Sequence, residues 1–276
     1  MTILFPVSLD PSRDDSFGLA LDIARSRSAG IRILYVVDSD GIGRIGAGAP
    51  IGAIHMAQEA EEEVTRRQSS AGSEIVAGLS KRCKDAGVPF TADVKVGNPA
   101  DEIEKEAARC DLFVSSFASQ YYFDRQDTPG KLVLAMMKKR IIPIVLATSP
   151  HRPVQTAVVG CSGALHSVRA IGAMARLGLW KENCRLVLVA ADDSPGEGEA
   201  RLVEAREILG DAGYPPWEEK VLPEPKIKTI PGFCKDAGAD VVVLGGWGIR
   251  HWDEILGHSL TGLFLSSKHH HLFLYM

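Results

Sequence analysis

The chain has 276 residues, of which 45% are hydrophobic and 24% charged, and its net charge is −4. This length accommodates two ordinary domains with separate hydrophobic cores. The charge forms no basic stripe, which argues against nucleic-acid binding, and no apolar run approaches the roughly 18 residues of a membrane span.

Apolar runs bounded by turn residues alternate with segments of helical period along the first half of the chain. Five of these runs predict buried strands, at 3–7, 31–37, 93–96, 111–114 and 141–146. Four segments between them predict helices, at 17–27, 56–86, 99–108 and 132–139. Strands that alternate with helices of this length predict βαβ units and a parallel sheet.

The second half repeats the order of the first. Its apolar runs predict strands at 156–161, 185–190, 240–244 and 271–275, and the Asp-Ala-Gly turn at 85–87 recurs at 211–213. Such self-similarity indicates a duplicated folding unit. We therefore predict two domains, 1–149 and 154–276, joined by a short linker that contains proline. The second copy lacks the stretch that corresponds to residues 40–66 of the first.

The residue types that form disulfides or bind metals show no spacing typical of a site. The five cysteines are scattered, without a CxxC pair, which is typical of reduced, buried thiols in a cytoplasmic protein. The N-terminus lacks the basic and long apolar segments of a secretory signal. The histidines at 269–271 lie on a predicted strand, where neighbours point to opposite faces, so we predict no metal site there.

Glycines follow the fourth strand of the second copy, where open parallel sheets bind ligands. The chain reads Gly-Gly-Trp-Gly at 245–248, and Gly-His-Ser at 257–259 precedes the last helix. Glycines let backbone amides approach an anion, and a helix N-terminus adds donors and the positive end of a dipole. This pattern favours phosphate binding, although turn and helix-cap glycines would look the same.

The order of elements along the whole chain, together with this segment, resembles the universal stress protein family. That family's ATP-binding signature is Gly-x-x-Gly, nine residues, then Gly followed by Ser or Thr. Gly245 and Gly248 match, but eight residues separate Gly248 from Gly257, and His258 takes the Ser/Thr position, with Ser259 next. The resemblance implies two Rossmann-like domains of the adenine nucleotide alpha hydrolase type, each a five-stranded parallel sheet flanked by helices.

The resemblance also implies a function and a set of site residues. It implies a non-catalytic stress-response protein that binds ATP or a related adenine nucleotide in the second domain, with Mg²⁺ only as a companion of ATP. The candidate nucleotide-binding residues are Ser162, Gly163, Val189, Gly245, Gly248, Gly257, His258 and Ser259. Ser162 stands where ATP-binding members carry an acidic residue that contacts adenine.

The first copy departs further from the family pattern. Ser115 and Ala118 replace its first two motif glycines, and Ser8 takes the acidic position, with Asp10 expected in a cap or turn. We therefore expect a degenerate first site. The resemblance further implies that 141–147 pairs antiparallel with 271–275 in an intramolecular pseudo-dimer, and a further homodimer stays open.

Other interpretations remain open. An interaction module with both sites decayed would explain the missing acids and the shortened spacing. The segment 162–167 resembles the Ser-Gly-Gly-x-Asp-Ser loop of the ATP pyrophosphatase family, an adenylating enzyme, but Ala164 and His166 replace the second Gly and the Asp. The formal GxGxxG at 41–46 follows a second strand, so we expect a flexible lid rather than a dinucleotide site.

Overall fold

The computed structural model describes residues 1–8, 10–45, 51–123, 131–246 and 259–275. The chain divides into two compact units, Met1–Met136 and Met137–Met276. This division places the strand at 144–147 with the second unit, because that strand pairs with a strand of the second unit. The assignment of domains to 1–149 and 154–276 stays a prediction.

The first unit contains a parallel sheet with helices between its strands. Its strands are β1 (Thr2–Pro6), β2 (Gly30–Asp38), β3 (Phe90–Gly97) and β4 (Leu112–Ser116), in the order β3-β2-β1-β4. Its helices are α1 (Arg13–Arg27), α2 (Ser39–Gly43), a 3-10 turn (Ile51–Ala53), α3 (Ile54–Asp85) and α4 (Pro99–Ala107), and α5 (Lys131–Lys139) continues into the second unit.

The second unit contains a mostly parallel sheet. Its strands are β5 (Ile144–Ala147), β6 (Thr156–Gly160), β7 (Arg185–Ala191), β8 (Glu218–Leu222), β9 (Val241–Gly245) and β10 (His271–Tyr275). Their order is β5-β10-β9-β6-β7-β8, and only β5 runs antiparallel to its neighbour. The helices are α6 (Leu165–Leu177), α7 (Pro195–Ala200), α8 (Val203–Asp211), α9 (Lys226–Asp236) and α10 (Leu260–Ser267).

The two units share one strand order, since β3-β2-β1-β4 corresponds to β8-β7-β6-β9. The predicted parallel α/β fold class is confirmed. The predicted antiparallel pairing of 141–147 with 271–275 is also present, as β5 with β10, with Leu146 opposite Leu272 and Ile144 opposite Leu274. This pairing satisfies backbone groups of β10 that would otherwise lie at a sheet edge.

The central strands are buried on both faces, as in parallel sheets covered by helices. Val158 of β6 and Val242 of β9 are fully buried, whereas the edge strands β3 and β8 alternate between exposed and half-buried residues. The connection between β2 and β3 contains the 32-residue helix α3, where the second unit has only α7 and α8. The difference in length that the sequence shows therefore falls in this connection.

Two findings bear on the predictions about membranes and thiols. In the ranges given above, no helix is both long and apolar enough to cross a bilayer. All five cysteines are described, and each is a free thiol, with only Cys184 not fully buried. Burial raises the pKa of Cys161 and Cys234 to about 12, so these thiols are protonated core groups at neutral pH.

Candidate functional site

A cavity of about 380 Å³ lies at the carboxyl end of the sheet in the second unit. Strands β6, β7 and β9 end at this cavity, and helices α6, α9 and α10 begin there. Its wall takes residues from all six elements and their turns, among them Ser162, His166, Ala191, Lys226, Gly245 and Thr261. This edge is where open α/β sheets bind ligands, because the helices that follow the strands present their N-termini there.

The turn between β6 and α6 shapes one wall of the cavity. Gly163 has a φ of +67°, which glycine adopts without strain. The Ser167 hydroxyl donates to the Gly160 carbonyl at 2.8 Å and accepts from the Ser162 N–H at 3.2 Å. Ala164, which precedes the helix, makes no side-chain cap. The N-terminus of α6, which is the positive end of its dipole, therefore faces the cavity, and its N-cap residue provides no side-chain oxygen to accept from the first backbone N–H groups.

Gly245 lies where β9 approaches the first turn of α6. A Cβ at this position would lie 2.5 Å from the carbonyl carbon of His166 and from the backbone nitrogen of Ser167. Packing against α6 therefore explains why this residue is glycine, without any ligand. Ser259 also has a structural role, because its hydroxyl accepts from the Gly262 N–H at 3.0 Å and caps α10.

Two cationic side chains border the cavity. The Arg201 guanidinium donates to the Ala191 carbonyl at 2.6 Å, pairs with Asp192 and lies 4.0 Å from a Glu224 oxygen. Lys226 is exposed at the start of α9, and its backbone N–H donates to Glu224 at 2.6 Å. Among the described residues, no carboxylate lies within 4.0 Å of its ammonium group. Glu224 and Ser259 already cap α9 and α10, so the N-terminus of α6 and the ammonium group of Lys226 are the groups of this wall that favour an anion.

The histidine in this wall is held neutral. His166 is half-buried in the first turn of α6, and burial together with the charge on Lys226 lowers its pKa from the ordinary value. The arrangement therefore provides hydroxyl and backbone donors, one unpaired ammonium group and a neutral imidazole around a concave space. Such an arrangement suits an anionic small molecule, and it contains no evident pair of nucleophile and base among the described residues.

The structure brings three of the predicted site residues to the cavity wall: Ser162, Gly245 and Ser259. Gly163 forms the adjoining turn. Val189 is fully buried within β7, where its carbonyl accepts from the Cys161 N–H at 2.8 Å, and Ala191 lines the cavity from that strand. Gly248, Gly257 and His258 lie outside the described residues.

Sequence reasoning missed the charged side chains of the wall. Arg201, Lys226 and His166 belong to three separate connections; Arg201 and Lys226 follow no motif, and His166 was noted only as the residue that replaces the Asp of the loop at 162–167. The one local signal was Lys226 directly after Pro225, at a helix start that follows the third strand. Only the strand order brings these residues together.

The corresponding edge of the first unit is occupied by hydroxyl groups that bond to one another. Ser115 at the end of β4 lies 2.6 Å from the hydroxyls of both Ser119 and Tyr121, and Ser116 lies 2.6 Å from that of Ser12. Burial raises the pKa of Tyr121 to about 12. These side chains stand where phosphates would have to approach the strand end, which supports the predicted degeneracy of this site.

The acidic residues near this edge also have local roles. Asp10 accepts from the Ser12 N–H at 2.8 Å, as expected of a turn residue. Asp38 accepts from the Gly41 N–H at 3.0 Å and caps α2, and a Cβ on Gly41 would lie 2.2 Å from its carboxylate. The first part of the formal GxGxxG is thus a capped helical turn, and the rest of the predicted lid, 46–50, lies outside the described residues.

The consecutive histidines serve the fold. His271 Nδ1 accepts from the Thr148 N–H at 3.0 Å, and His270 Nδ1 lies 2.6 Å from the Ala239 carbonyl oxygen. Within the part of the chain that the structure covers, no group of three or more His, Cys, Asp or Glu side chains is placed to hold a metal ion.

The fold defines a class of protein, the Rossmann-like parallel α/β proteins. Residues 1–113 match the sequence profile of the universal stress protein family. This match covers less than half of the chain, and it confirms the resemblance to that family for the matched part of the sequence. No curated protein matches the chain.

Solved structures share the fold along nearly the whole chain. A universal stress protein from Archaeoglobus fulgidus DSM 4304 has a TM-score of 0.69 at 13% identity, covering 99% of this chain and 97% of its own. A functionally unknown protein from Pseudomonas aeruginosa PAO1 has a TM-score of 0.62, and a putative universal stress protein from Pseudomonas aeruginosa UCBPP-PA14 has one of 0.59. Both are 13% identical and cover 99% of this chain and 92% of their own. At these identities the likeness shows the fold alone.

Proposed function

We propose that the chain is a non-catalytic, cytoplasmic stress-response protein whose second half binds ATP or a related adenine nucleotide. The observation that carries this proposal is the meeting of the N-terminus of α6 with Lys226 and Arg201 around one cavity. Phosphate groups suit such a wall because helix dipoles and backbone N–H groups favour negative charge. The family resemblance supplies the adenine nucleotide as the first candidate.

The rest of the cavity fits the uncharged parts of a nucleotide. Ile227, Ile230 and Leu244 provide an apolar wall for a base, and the hydroxyls of Ser162 and Thr261 lie in the same wall for a ribose or phosphate. We assign no chemical step to bound ATP, so ATP would be a ligand of this site and not a substrate. Any Mg²⁺ would enter with ATP as its counter-ion.

The first half takes a different role in this proposal. Its hydroxyl network around Ser115 and Tyr121 occupies the position that the phosphates of a ligand would take. In this proposal the first half therefore binds no nucleotide and contributes to the pseudo-dimer. The pairing of β5 with β10 supports the intramolecular pseudo-dimer, since β5 belongs to the predicted first domain. Analytical ultracentrifugation of the purified chain would measure association into a further homodimer.

The test combines two measurements on the purified chain. Mass spectrometry of the small molecules released on denaturation should identify an adenine nucleotide, and ATP at millimolar concentration should raise the melting temperature. Lys226→Gln should reduce this rise. Lys235→Gln, which removes a charge from the last turn of the same helix, should leave it unchanged. A chain that releases no nucleotide and shows no thermal shift with ATP contradicts the proposal.

An interaction module without a ligand is the alternative, and two observations favour it. Gly245 is explained by packing against α6 alone, and Leu165 at the start of that helix is 64% exposed. Under this alternative ATP has no effect. Leu165→Ser would then weaken association with a partner while leaving the melting temperature unchanged.

A further inference from the structure

Two basic side chains, one from α6 and one from α9, line the cavity. His166 stands in the first turn of α6, and the close contact of its backbone with Gly245 holds that turn in place. Lys226 is the first residue of α9 and lines the same space. We propose that these two side chains bind the anionic group of the ligand, and that His166 does so as an imidazolium, so that binding takes up a proton. This inference rests on the proposed function.

The charges that face His166 in the free protein oppose its protonation. The charge that acts on its imidazole is the ammonium group of Lys226 on α9, whereas Arg201, elsewhere in the wall, is already offset by Asp192 and Glu224. In the described ranges, no carboxylate lies within 4.0 Å of the His166 ring. Burial, the charge on Lys226 and the positive end of α6 all favour the neutral imidazole.

A bound anion reverses this balance. A phosphate between the two side chains places negative charge beside the imidazole, and an opposite charge at that distance favours the protonated form. The imidazolium then donates from both ring nitrogens, whereas the neutral ring has one nitrogen that only accepts. Cys161, the remaining titratable group in the wall, has a pKa of about 12 and stays protonated throughout.

The consequence is an affinity that depends on pH. By linkage, each unit by which the ligand raises the pKa of His166 is worth about tenfold in affinity at low pH. We therefore expect ATP to bind roughly tenfold more tightly at pH 6 than at pH 8, beyond the change that ATP's own titration causes.

Calorimetric titration with ATP in two buffers of different ionisation enthalpy measures the proton uptake directly. The wild-type chain should take up more protons than His166→Asn, and the additional pH dependence should disappear in that variant. ATP's own titration is common to both proteins and cancels. His55→Asn is the matched control, because His55 is 84% exposed on α3 and pairs with Glu59, and it should behave as wild type.

Each outcome has one meaning. If ATP binds with equal proton uptake to wild type and His166→Asn, the inference is overturned and the proposed function stands. If ATP fails to bind wild type at any pH, both fall. Should His166→Asn not fold, the NMR titration of His166 in the wild-type chain decides the matter: ATP should raise its midpoint, and an unchanged midpoint overturns the inference.

Discussion

His271 is a buried histidine that the fold holds in its neutral form. It is 1% exposed at the start of β10, its Nδ1 accepts from the Thr148 N–H, and its Nε2 lies 3.2 Å from the Arg152 carbonyl oxygen. An acceptor at Nδ1 and a donor at Nε2 define one neutral tautomer. Burial lowers the pKa of this imidazole from 6.5 to about 4.

This depressed pKa predicts a loss of stability in mild acid. As the pH falls below 6.5, the unfolded chain binds a proton at His271, whereas the folded chain does so only near pH 4. The stabilisation is therefore complete above pH 6.5 and is lost as the pH falls towards 4. At pH 5 the linkage relation gives a loss of about 2 kcal/mol from this residue.

The substitution His271→Asn tests the prediction, because the Asn side-chain oxygen can accept from Thr148 but does not titrate. Urea unfolding at pH 7.5 and pH 5 should be followed by tryptophan fluorescence. Of the four tryptophans, Trp180 has its ring 6.0 Å from that of Phe273, which lies in the same strand as His271. Between these two pH values, wild type should lose about 2 kcal/mol more free energy of unfolding than the variant. Equal losses in the two proteins would refute the reasoning, since all other titrating groups are shared.

Three further substitutions, the first with a matched control, test packing and buried polar groups by urea unfolding. Gly245→Ala should destabilise by about 1–3 kcal/mol because its Cβ meets backbone of α6, whereas Gly210→Ala, with open space around it, should be neutral or slightly stabilising. Tyr121→Phe removes the hydroxyl 2.6 Å from Ser115 and should cost about 1–2 kcal/mol; an unchanged midpoint would contradict the hydroxyl network. Glu106→Gln removes the charge of a side chain that is 2% exposed and paired with two cationic side chains. It should lower the free energy of unfolding by about 2 kcal/mol. An unchanged free energy of unfolding would mean that these ion pairs do not stabilise the fold.

The fold could be predicted from the sequence wherever strands are buried on both faces. Continuous apolar runs produced β6, β9 and β10 within a residue or two of their bounds. The edge strands were harder, because they are half exposed and carry charged residues. The predicted strand 93–96 lies within β3, and β8, with the sequence EEKVL, was expected only as a fifth strand of the second sheet, without bounds.

The site was predictable only where it lies at a strand end or a helix start. Gly245 and Ser259 were found because turn glycines and cap residues mark such places in the chain, whereas Ser162 came from the resemblance to the universal stress protein family. The sequence pattern did not show that residue 245 is glycine because the backbone of α6 leaves no room for a Cβ. It also did not mark Lys226, since a lysine at a helix start is ordinary in any sequence.

The sequence by itself determined the alternation of strands and helices and the repetition of that order, because both depend on residue types at local spacing. Only the tertiary structure decided which side chains share the cavity and which histidine is held neutral. Those properties arise from contacts between residues far apart in the chain, and the parallel strand order alone brings Arg201, Lys226 and His166 to one edge of the sheet.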